Sequence, residues 1–476
     1  MYFEYIVAFV VYSITIISIG IFASYKKKYA STDSIDFMIG GRSTHWLLTA
    51  LSAHAADMSD WLFMGLPATV YLLGGTQIWI PIGLLFGMFC SWHFVAHTLR
   101  IATEQYRVYT LASYFKVHFK DHTGLLGITA TLISFFFFAI YVSVGLKGIG
   151  YVLQSAFGMN YHIGICIGLC IILPYLLLGG FSSVAFLDLF QGLFLLAMLM
   201  LVPLYAYITL GGWHTIAHAI QEKGISLSLI PNFSLRSILA ILLNPFAWCL
   251  GYFGMPHILT KFMGIENPEE MYKAKYVGII WQLCATSAAV AVGVVGIAYF
   301  NIVPGKPEFI FIEMAKSLFT PLLAGLVLCA ILAATISTID SQLLVLAGIV
   351  AQDLYKNIIN PSASAKQVYT IYQMAIIAGA LLGLISAWNE QSSIMALVQY
   401  AWAGLGASFG PLVLVSLYSS YPNSYGAFAG LITGAFVSGI WQYINPYITT
   451  IEIYSMVPAF CANIVMIYAV SWLSKK

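Results

Sequence analysis

The chain has 476 residues, of which 61% are hydrophobic and only 8% charged, with a formal net charge of +2. That balance excludes a soluble globular protein and describes a multi-span membrane protein. No basic tail, zinc-ligand spacing or basic patch interleaved with aromatics is present, which speaks against a nucleic-acid partner.

Membrane crossings are counted as apolar runs, since about 20 residues of helix cross the hydrocarbon core. About thirteen runs meet that length, at 4–24, 46–72, 75–99, 125–156, 161–179, 182–210, 236–260, 275–302, 319–352, 368–388, 393–419, 425–444 and 452–473. The first is too long for the apolar core of a signal peptide and has no basic flank before it, so it reads as a retained span. No polar linker is long enough to separate two folding units, and residues 1–476 are expected to form one all-α membrane domain. Orientation follows from Lys and Arg. With the N-terminus outside, fifteen of them fall in inside loops, Lys26, Lys27, Lys28, Lys261 and Lys476 included, and four in outside loops, Lys223, Arg236, Lys306 and Lys316. An outside N-terminus and a cytoplasmic C-terminus in the cell membrane are therefore expected. All seven cysteines lie within apolar runs and read as packing residues; Cys166 and Cys170 share a helix face but have no His or acidic partner for a metal.

The second run contains LSAHAADMSDWLFMGLP, residues 51–67. A carboxylate at mid-bilayer costs roughly 2.5–3.5 kcal/mol, so Asp57 and Asp60 each need a compensating partner. Small Ala55 and Ala56, polar Ser52 and Ser59, and the following Gly65 and Pro67 predict a helix interrupted at that depth. Its freed carbonyls can face an ion only where they line a protein-enclosed cavity. Asp57 and Ser59 read either as caps of the broken helix or as groups that hold a cation. Asp60 shares a face with Asp57 if that turn is wound, and two close carboxylates favour either a cation between them or a proton on one.

Further along, Tyr141 in FFFFAIY reads as packing or as part of a pocket. Arg42, in GGRS before the second run, reads as a positive-inside anchor or as a gate charge. Asp188, close to the expected cytoplasmic start of its span, reads as a cap or as a cation exit residue, its cost lowered by a water-filled vestibule. The run 236–260 carries Asn244, Pro245, Gly251, Gly254 and Pro256. At four-residue spacing, Trp248, Tyr252 and Pro256 read as packing or as one side of a small pocket. In LAATISTIDSQLL, Ser337 and Thr338 place two hydroxyls side by side, either bonded to the carbonyl one turn back or offered to a hard cation that favours oxygen. Asp340 and Gln342, just beyond, face the bundle interior or the exit path.

With the first run set aside, the next ten form two groups of five, each opening on its Gly/Pro-interrupted member. Paired interruptions point to an inverted repeat, about 46–210 and 236–419, with its site between the broken helices. Five is odd, so the second half enters from the opposite side.

Four stretches, ADMSDWLFMGLP (56–67), GYFGMPHILTKFM (251–263), AILAATISTIDSQLL (330–344) and YAWAGLGASFGP (400–411), resemble the sodium/solute symporter family, most closely its sodium/proline symporters. The likeness covers essentially the whole chain, in order. It implies a five-plus-five inverted repeat of the leucine-transporter type working by alternating access. It further implies a sodium site at Ala55 and Met58 of the broken helix and Ala334, Ser337 and Thr338 of the long span. Asp57 matches a residue required for high sodium affinity, Arg42 a functional arginine of the cytoplasmic side, and Asp188 a residue on the inward sodium path. Trp61 and Tyr141 also match, and Trp248, Tyr252 and Pro256 match positions associated with proline; with Ser59 and Asp60 these are the candidate solute contacts. Two departures stand out: Asp60 replaces a glycine in the usual SDMSGW, and His54 stands where a small residue is usual.

The expectation is sodium-coupled uptake of a small zwitterion, L-proline foremost, with sodium as coupling ion and no other cofactor. The alternatives are another solute on the same scaffold (an amino acid, pantothenate or an organic acid), with proton coupling through Asp60, or a membrane sensor. No signalling domain follows the last span, against the sensor. No nucleophile–base pair or metal-ligand cluster falls within one span, against an enzyme.

Overall fold

The computed structural model of the protein describes residues 2–27, 39–178, 181–303 and 305–475; Lys28 and Lys476, two of the charges counted for orientation, lie outside these. Among the described residues the chain is helical throughout, with no strand. The first half holds α1 (Tyr2–Lys27), α2 (Trp46–Ala55), a π turn Trp61–Gly65 leading into α3 (Leu66–Leu73), and α4 (Trp79–Cys90). It continues with α5 (His97–Gln105), α6 (Leu111–His118), α7 (Leu125–Phe157), α8 (Tyr161–Leu178), α9 (Phe181–Thr209) and α10 (Trp213–Glu222). The second half opens with α11 (Leu235–Leu243), a 3-10 segment Phe246–Phe253 and α12 (Pro256–Met263), followed by α13 (Met271–Tyr299), α14 (Ile310–Leu318) and α15 (Pro321–Gly348). The last helices are α16 (Ala365–Ala387), α17 (Ile394–Tyr418), α18 (Ser424–Ile448) and α19 (Met456–Leu473).

Ten helical stretches among the described residues are long and apolar enough to cross a bilayer, with shorter apolar helices at Phe3–Ile19 and Tyr161–Pro174. Those two account for the first and fifth of the thirteen runs, and the remaining difference has a physical reason. The second run is cut at residues 56–60, and its second half joins the third run into one stretch, Trp61–Gln105. The outer surface is studded with exposed large apolar side chains such as Leu132, Phe136, Ile163, Leu204 and Phe436, as a lipid-facing surface requires. Cys170 and Cys461 are exposed as well, so the expectation that all seven cysteines pack inside does not hold for these two. By contrast α15 and α17 are 78% and 83% buried over their spanning windows. Protein surrounds them, which is where polar residues in a membrane can find partners.

Two features position the site. Thr44 N–H donates to Gly264 O (3.1 Å) and Glu266 N–H to Thr44 O (2.9 Å), forming an isolated bridge between Thr44 and Ile265. The start of α2 thus lies beside the end of α12, and the two interrupted helices cross in opposite directions. At the opposite face, the free carbonyls after α16 are capped by side chains of other helices. Tyr161 Oη donates to Ala387 O (2.7 Å), the fully buried Lys147 Nζ to Asn389 O (2.5 Å) and Tyr151 Oη to Glu390 O (3.0 Å).

Candidate functional site

The first break follows from its own sequence. Asp and Ser side chains compete with the backbone for hydrogen bonds and favour turns over helix interiors. Asp57 and Met58 N–H both donate to His54 O (3.2 and 3.1 Å), and Ser59 N–H turns back to Asp57 O (3.2 Å), so the regular ladder stops. The helix resumes as a π turn at Trp61, whose indole Nε1–H donates to Asp57 O (2.9 Å) and braces the turn. Ala55 O is taken instead by a neighbour: Ser337 Oγ on α15 donates to it at 2.8 Å. Ser337 Oγ also lies 3.0 Å from Ala334 O, and Thr338 Oγ1 donates to Ala334 O at 3.1 Å. The reading of these hydroxyls as bonded one turn back holds within α15, and Ser337 also reaches across to the broken helix. Ala55, Ala334, Ser337 and Thr338 contribute a cluster of uncharged oxygens, the donor set a hard monovalent cation takes. Met58 is fully buried on the same turn.

Asp57 is fully buried, and its Oδ2 accepts from Tyr252 Oη at 2.5 Å. That hydroxyl accepts in turn from Gln282 Nε2 of α13 (3.0 Å). A chain Gln282–Tyr252–Asp57 thus joins the second break to the first. Asp57 Oδ1, Ser59 Oγ, Tyr141 Oη and Gln282 Oε1 are buried without a hydrogen-bond partner. So are both ring nitrogens of His257, whose ring meets Tyr141 edge-on. Buried polar atoms left open in this way mark where a polar guest would be received.

The second break is built by Asn244, Pro245, Gly254 and Pro256. Its middle, Phe246–Phe253, is a 3-10 segment, which turns about 120° per residue. A four-residue step then rotates about a third of a turn, so the expected common face of Trp248, Tyr252 and Pro256 is not formed. Trp248 stacks on Tyr454 (5.3 Å between centroids), Tyr252 points at Asp57, and Pro256 begins α12 on the far side. Trp402 of α17 supports the segment, its Nε1–H donating to Trp248 O (3.0 Å) and its ring meeting Tyr252 edge-on. Close approach explains the glycines of YAWAGLGASFGP: a Cβ on Gly254 would lie 2.6 Å from Gly406 O and 2.9 Å from Gly410 Cα.

The two departures are each matched by a space on a facing helix. Asp57 and Asp60 do not share a face, because the turn between them is unwound. Asp60 is fully buried against α7, where a Cβ on Gly148 would come within 2.5 Å of its Oδ2, and the groups nearest its carboxylate are the backbone N–H groups of Trp61 and Gly148. His54 lies against Gly278 of α13, and its Nε2 accepts from Trp92 Nε1–H (3.3 Å).

Asp188 is compensated by protein, not by the expected water-filled vestibule. Its Oδ2 accepts from Ser52 Oγ (2.5 Å) and pairs with Lys261 Nζ (2.9 Å), side chains of Lys261 and Asp188 being 3% and 0% exposed. Lys261, counted as a loop charge, thus lies inside the bundle. The signal for this pair was a lysine at the edge of one apolar stretch and a lone carboxylate, Asp188, within another. Arg42 stands apart from Asp57: its Nη2 donates to Thr103 O (3.0 Å) and Val108 O (2.8 Å) behind α5. Burial, with Arg100 beside it, lowers its pKa from the usual arginine value. Asp340 and Gln342 are buried, as expected of interior-facing residues.

Two cavities flank the breaks. A vestibule of about 490 Å³ opens between α3, α11, the start of α17 and the loop after α18, with Trp248 in its wall. On the other side, Tyr109, Pro256, Thr260 and Gly348 enclose a crevice of only about 10 Å³. That is room for about one water.

Comparison with known proteins supplies the context for this geometry. A model of the sodium:solute symporter family matches residues 37–434. The chain is 39% identical to the high-affinity proline transporter PutP of Bacillus subtilis, over 96% of this chain and 95% of that one. It is 38% identical to a sodium/proline symporter of Staphylococcus aureus, over 98% and 92% of the two chains. Among solved structures, a Na⁺-coupled sialic acid symporter in a substrate-bound, outward-open state superposes with a TM-score of 0.83 at 16% identity, covering 99% of this chain and 98% of that one. MhsT in complex with L-phenylalanine superposes at 0.55 with 13% identity, over 90% and 98%. These two likenesses establish an all-α fold of the leucine-transporter type.

Proposed function

Because the chain belongs to the sodium:solute symporter family, we propose that it imports L-proline together with Na⁺ by alternating access. The observation that carries this reading is the hydroxyl of Ser337 on Ala55 O, which brings the broken helix and α15 together through uncharged oxygens. We assign the ion to Ala55, Met58, Ala334, Ser337 and Thr338, with Asp57 one turn away raising the local affinity for a cation. The solute is assigned to the open polar atoms beside it, with Ser59, Asp60, Trp61, Tyr141, Trp248, Tyr252 and Pro256 as its surroundings.

The proposed orientation puts the N-terminus outside and the C-terminus in the cytoplasm, across the cell membrane. The core repeats run about 46–210 and 236–419 within one domain. A 490 Å³ vestibule on one side and a 10 Å³ crevice on the other support an outward-facing state. On occlusion the two breaks close around ion and solute. Each ligand stabilises the same state, so each raises the other's affinity by the same factor. Asp188 then lies on the way in, held by Lys261 until the inner side opens, and Arg42 anchors the loop beside that exit. The sodium gradient drives the cycle together with the membrane potential, worth about 2.3 kcal/mol per charge per 100 mV.

A second reading keeps the scaffold and changes the cargo. Asp60 favours it, since this fully buried carboxylate has no ion-pair partner among the described residues. Uptake of labelled L-proline into proteoliposomes, with and without an inward Na⁺ gradient and against a panel of amino acids, pantothenate and short organic acids, decides between them. Gradient-dependent uptake blocked best by proline is expected; uptake indifferent to Na⁺ overturns the coupling, and stronger block by another solute overturns the cargo.

A further inference from the structure

The second break ends on the N-terminus of α12, and that end is left open. The helix begins at Pro256, which has no N–H to offer, and no side-chain hydrogen bond from its N-cap, Met255, closes the turn. The N–H groups of Ile258 and Leu259 both turn back to Met255 O (3.1 and 3.0 Å), whereas that of His257 has no backbone acceptor among the described residues. The His257 side chain is fully buried on the same turn, and neither ring nitrogen has a hydrogen-bond partner. An imidazole carries at least one N–H in either protonation state, so a donor stands idle inside the bundle. The start of a helix favours negative charge, and a buried donor beside it adds to the same preference. Together they describe a receptor for an anionic group.

The neighbours of the ring tie this receptor to the first break. His257 meets Tyr141 and Phe138 of α7 edge-on, at 6.2 and 5.7 Å between centroids. Tyr141 Oη is itself open, and Tyr141 lies within electrostatic reach of both Asp57 and Asp60. The first break also starts a helical turn, at Trp61, but Asp60 stands as its N-cap with its carboxyl group beside the Trp61 N–H. Those donors already face a carboxyl group of the protein, and a further carboxylate next to Asp57 and Asp60 would be repelled. Lys261, further along α12, does not compete for an anion, since its Nζ is paired with Asp188 Oδ2 (2.9 Å).

We propose that His257 and the N-terminus of α12 receive the carboxylate of the imported solute, which turns its ammonium group toward Asp57 and Asp60. The inference rests on the reading that the solute is a zwitterion, and it fixes which end of that solute faces which break. In this placing the acidic break meets the cationic end and the open donors meet the anionic end. The reverse placing sets like charges together at Asp60 and leaves the buried imidazole unanswered. Asp60 replaces the glycine of the usual SDMSGW, and with it the donors of the first break cease to be free for a carboxylate. The orientation therefore belongs to a chain that carries both Asp60 and His257.

The test uses the full-length protein in proteoliposomes and follows Na⁺-driven uptake of labelled L-proline. Block is measured with unlabelled L-proline, with L-prolinamide, which lacks the carboxylate, and with tetrahydrofuran-2-carboxylate, which lacks the amine. His257→Leu fills the space without a donor, and His257→Met serves should the Leu variant fail to fold. Either is expected to raise the half-blocking concentration of proline about tenfold or more while that of prolinamide stays put, so that discrimination between the two collapses. His257→Gln keeps an N–H and should retain most of the discrimination. Asp60→Asn should narrow the advantage of proline over tetrahydrofuran-2-carboxylate and leave its advantage over prolinamide. Equal losses for proline and prolinamide in the apolar variants overturn the proposal, as does unchanged discrimination, a Gln variant no better than the Leu variant, or the crossed pattern in which His257 governs the amine. Should another amino acid or organic acid prove to be the cargo, the proline assignment fails, and a collapse between that solute and its amide still supports His257. A cargo without a carboxylate overturns both.

Discussion

Replacing Lys261 by Met removes the cation that faces Asp188 inside the bundle. At the 2.9 Å between Lys261 Nζ and Asp188 Oδ2, an effective dielectric of about 20 gives an attraction of about 6 kcal/mol. The side chains are 3% and 0% exposed, so salt screens little of it. Desolvation of both ions offsets most of that attraction in the intact pair, whereas losing one partner leaves a bare buried charge and costs about 3–5 kcal/mol. Lys261→Met and Asp188→Asn are each expected to destabilise the protein by that amount. The double variant K261M/D188N should recover most of the loss, because no uncompensated charge remains and Ser52 can still donate to the amide oxygen of the new side chain. Equilibrium unfolding of the purified protein in mixed micelles, read as a double-mutant cycle, measures this. A double variant destabilised by the sum of the two singles refutes the reasoning, since it would mean that the groups act independently.

Tyr252→Phe deletes the donor to Asp57 and the acceptor of Gln282; a charge-assisted bond of about 1.5–3 kcal/mol is lost, so the Na⁺ concentration for half-maximal uptake should rise about ten- to hundredfold. An unchanged sodium titration would remove Tyr252 from the site. Asp57→Asn and Thr338→Ala should weaken sodium dependence far more than the maximal rate at saturating Na⁺, measured as initial uptake over a sodium series. Gly148→Ala drives a methyl into Asp60 and should abolish uptake, while the pair D60G/G148A should restore folding and surface expression; failure of the pair to recover would mean that Gly148 serves another contact.

Much of this fold is legible in the sequence itself. The Gly/Pro punctuation at 244–256 marks the second interruption, because those residues act locally and need no tertiary context, whereas the first falls at 56–60, ahead of Gly65 and Pro67, where Asp57 and Ser59 turn the backbone. The Ser337 hydroxyl lies on both Ala55 O and Ala334 O, and that these oxygens hold sodium is the proposal made above. What remained hidden depended on neighbours far apart in the chain. Nothing local announces that Gln282 holds Tyr252, that Gly148 makes room for Asp60 or that Gly278 makes room for His54. Trp248, Tyr252 and Pro256 misled for a different reason: four-residue spacing means a shared face only if the segment is α-helical, and here it winds more tightly. Lys261 misled by its position near a span end, where a positive charge is ordinarily a topological signal rather than half of a buried pair.

The narrow crevice beneath Pro256 has an electrical meaning. A passage with room for about one water cannot hold a file of them. Protons therefore have no relay along it, and small ions cannot keep their hydration shells while slipping through. Along this crevice the bilayer finds an insulator: any charge that crosses here has to be handed over by moving protein and is not conducted along standing water.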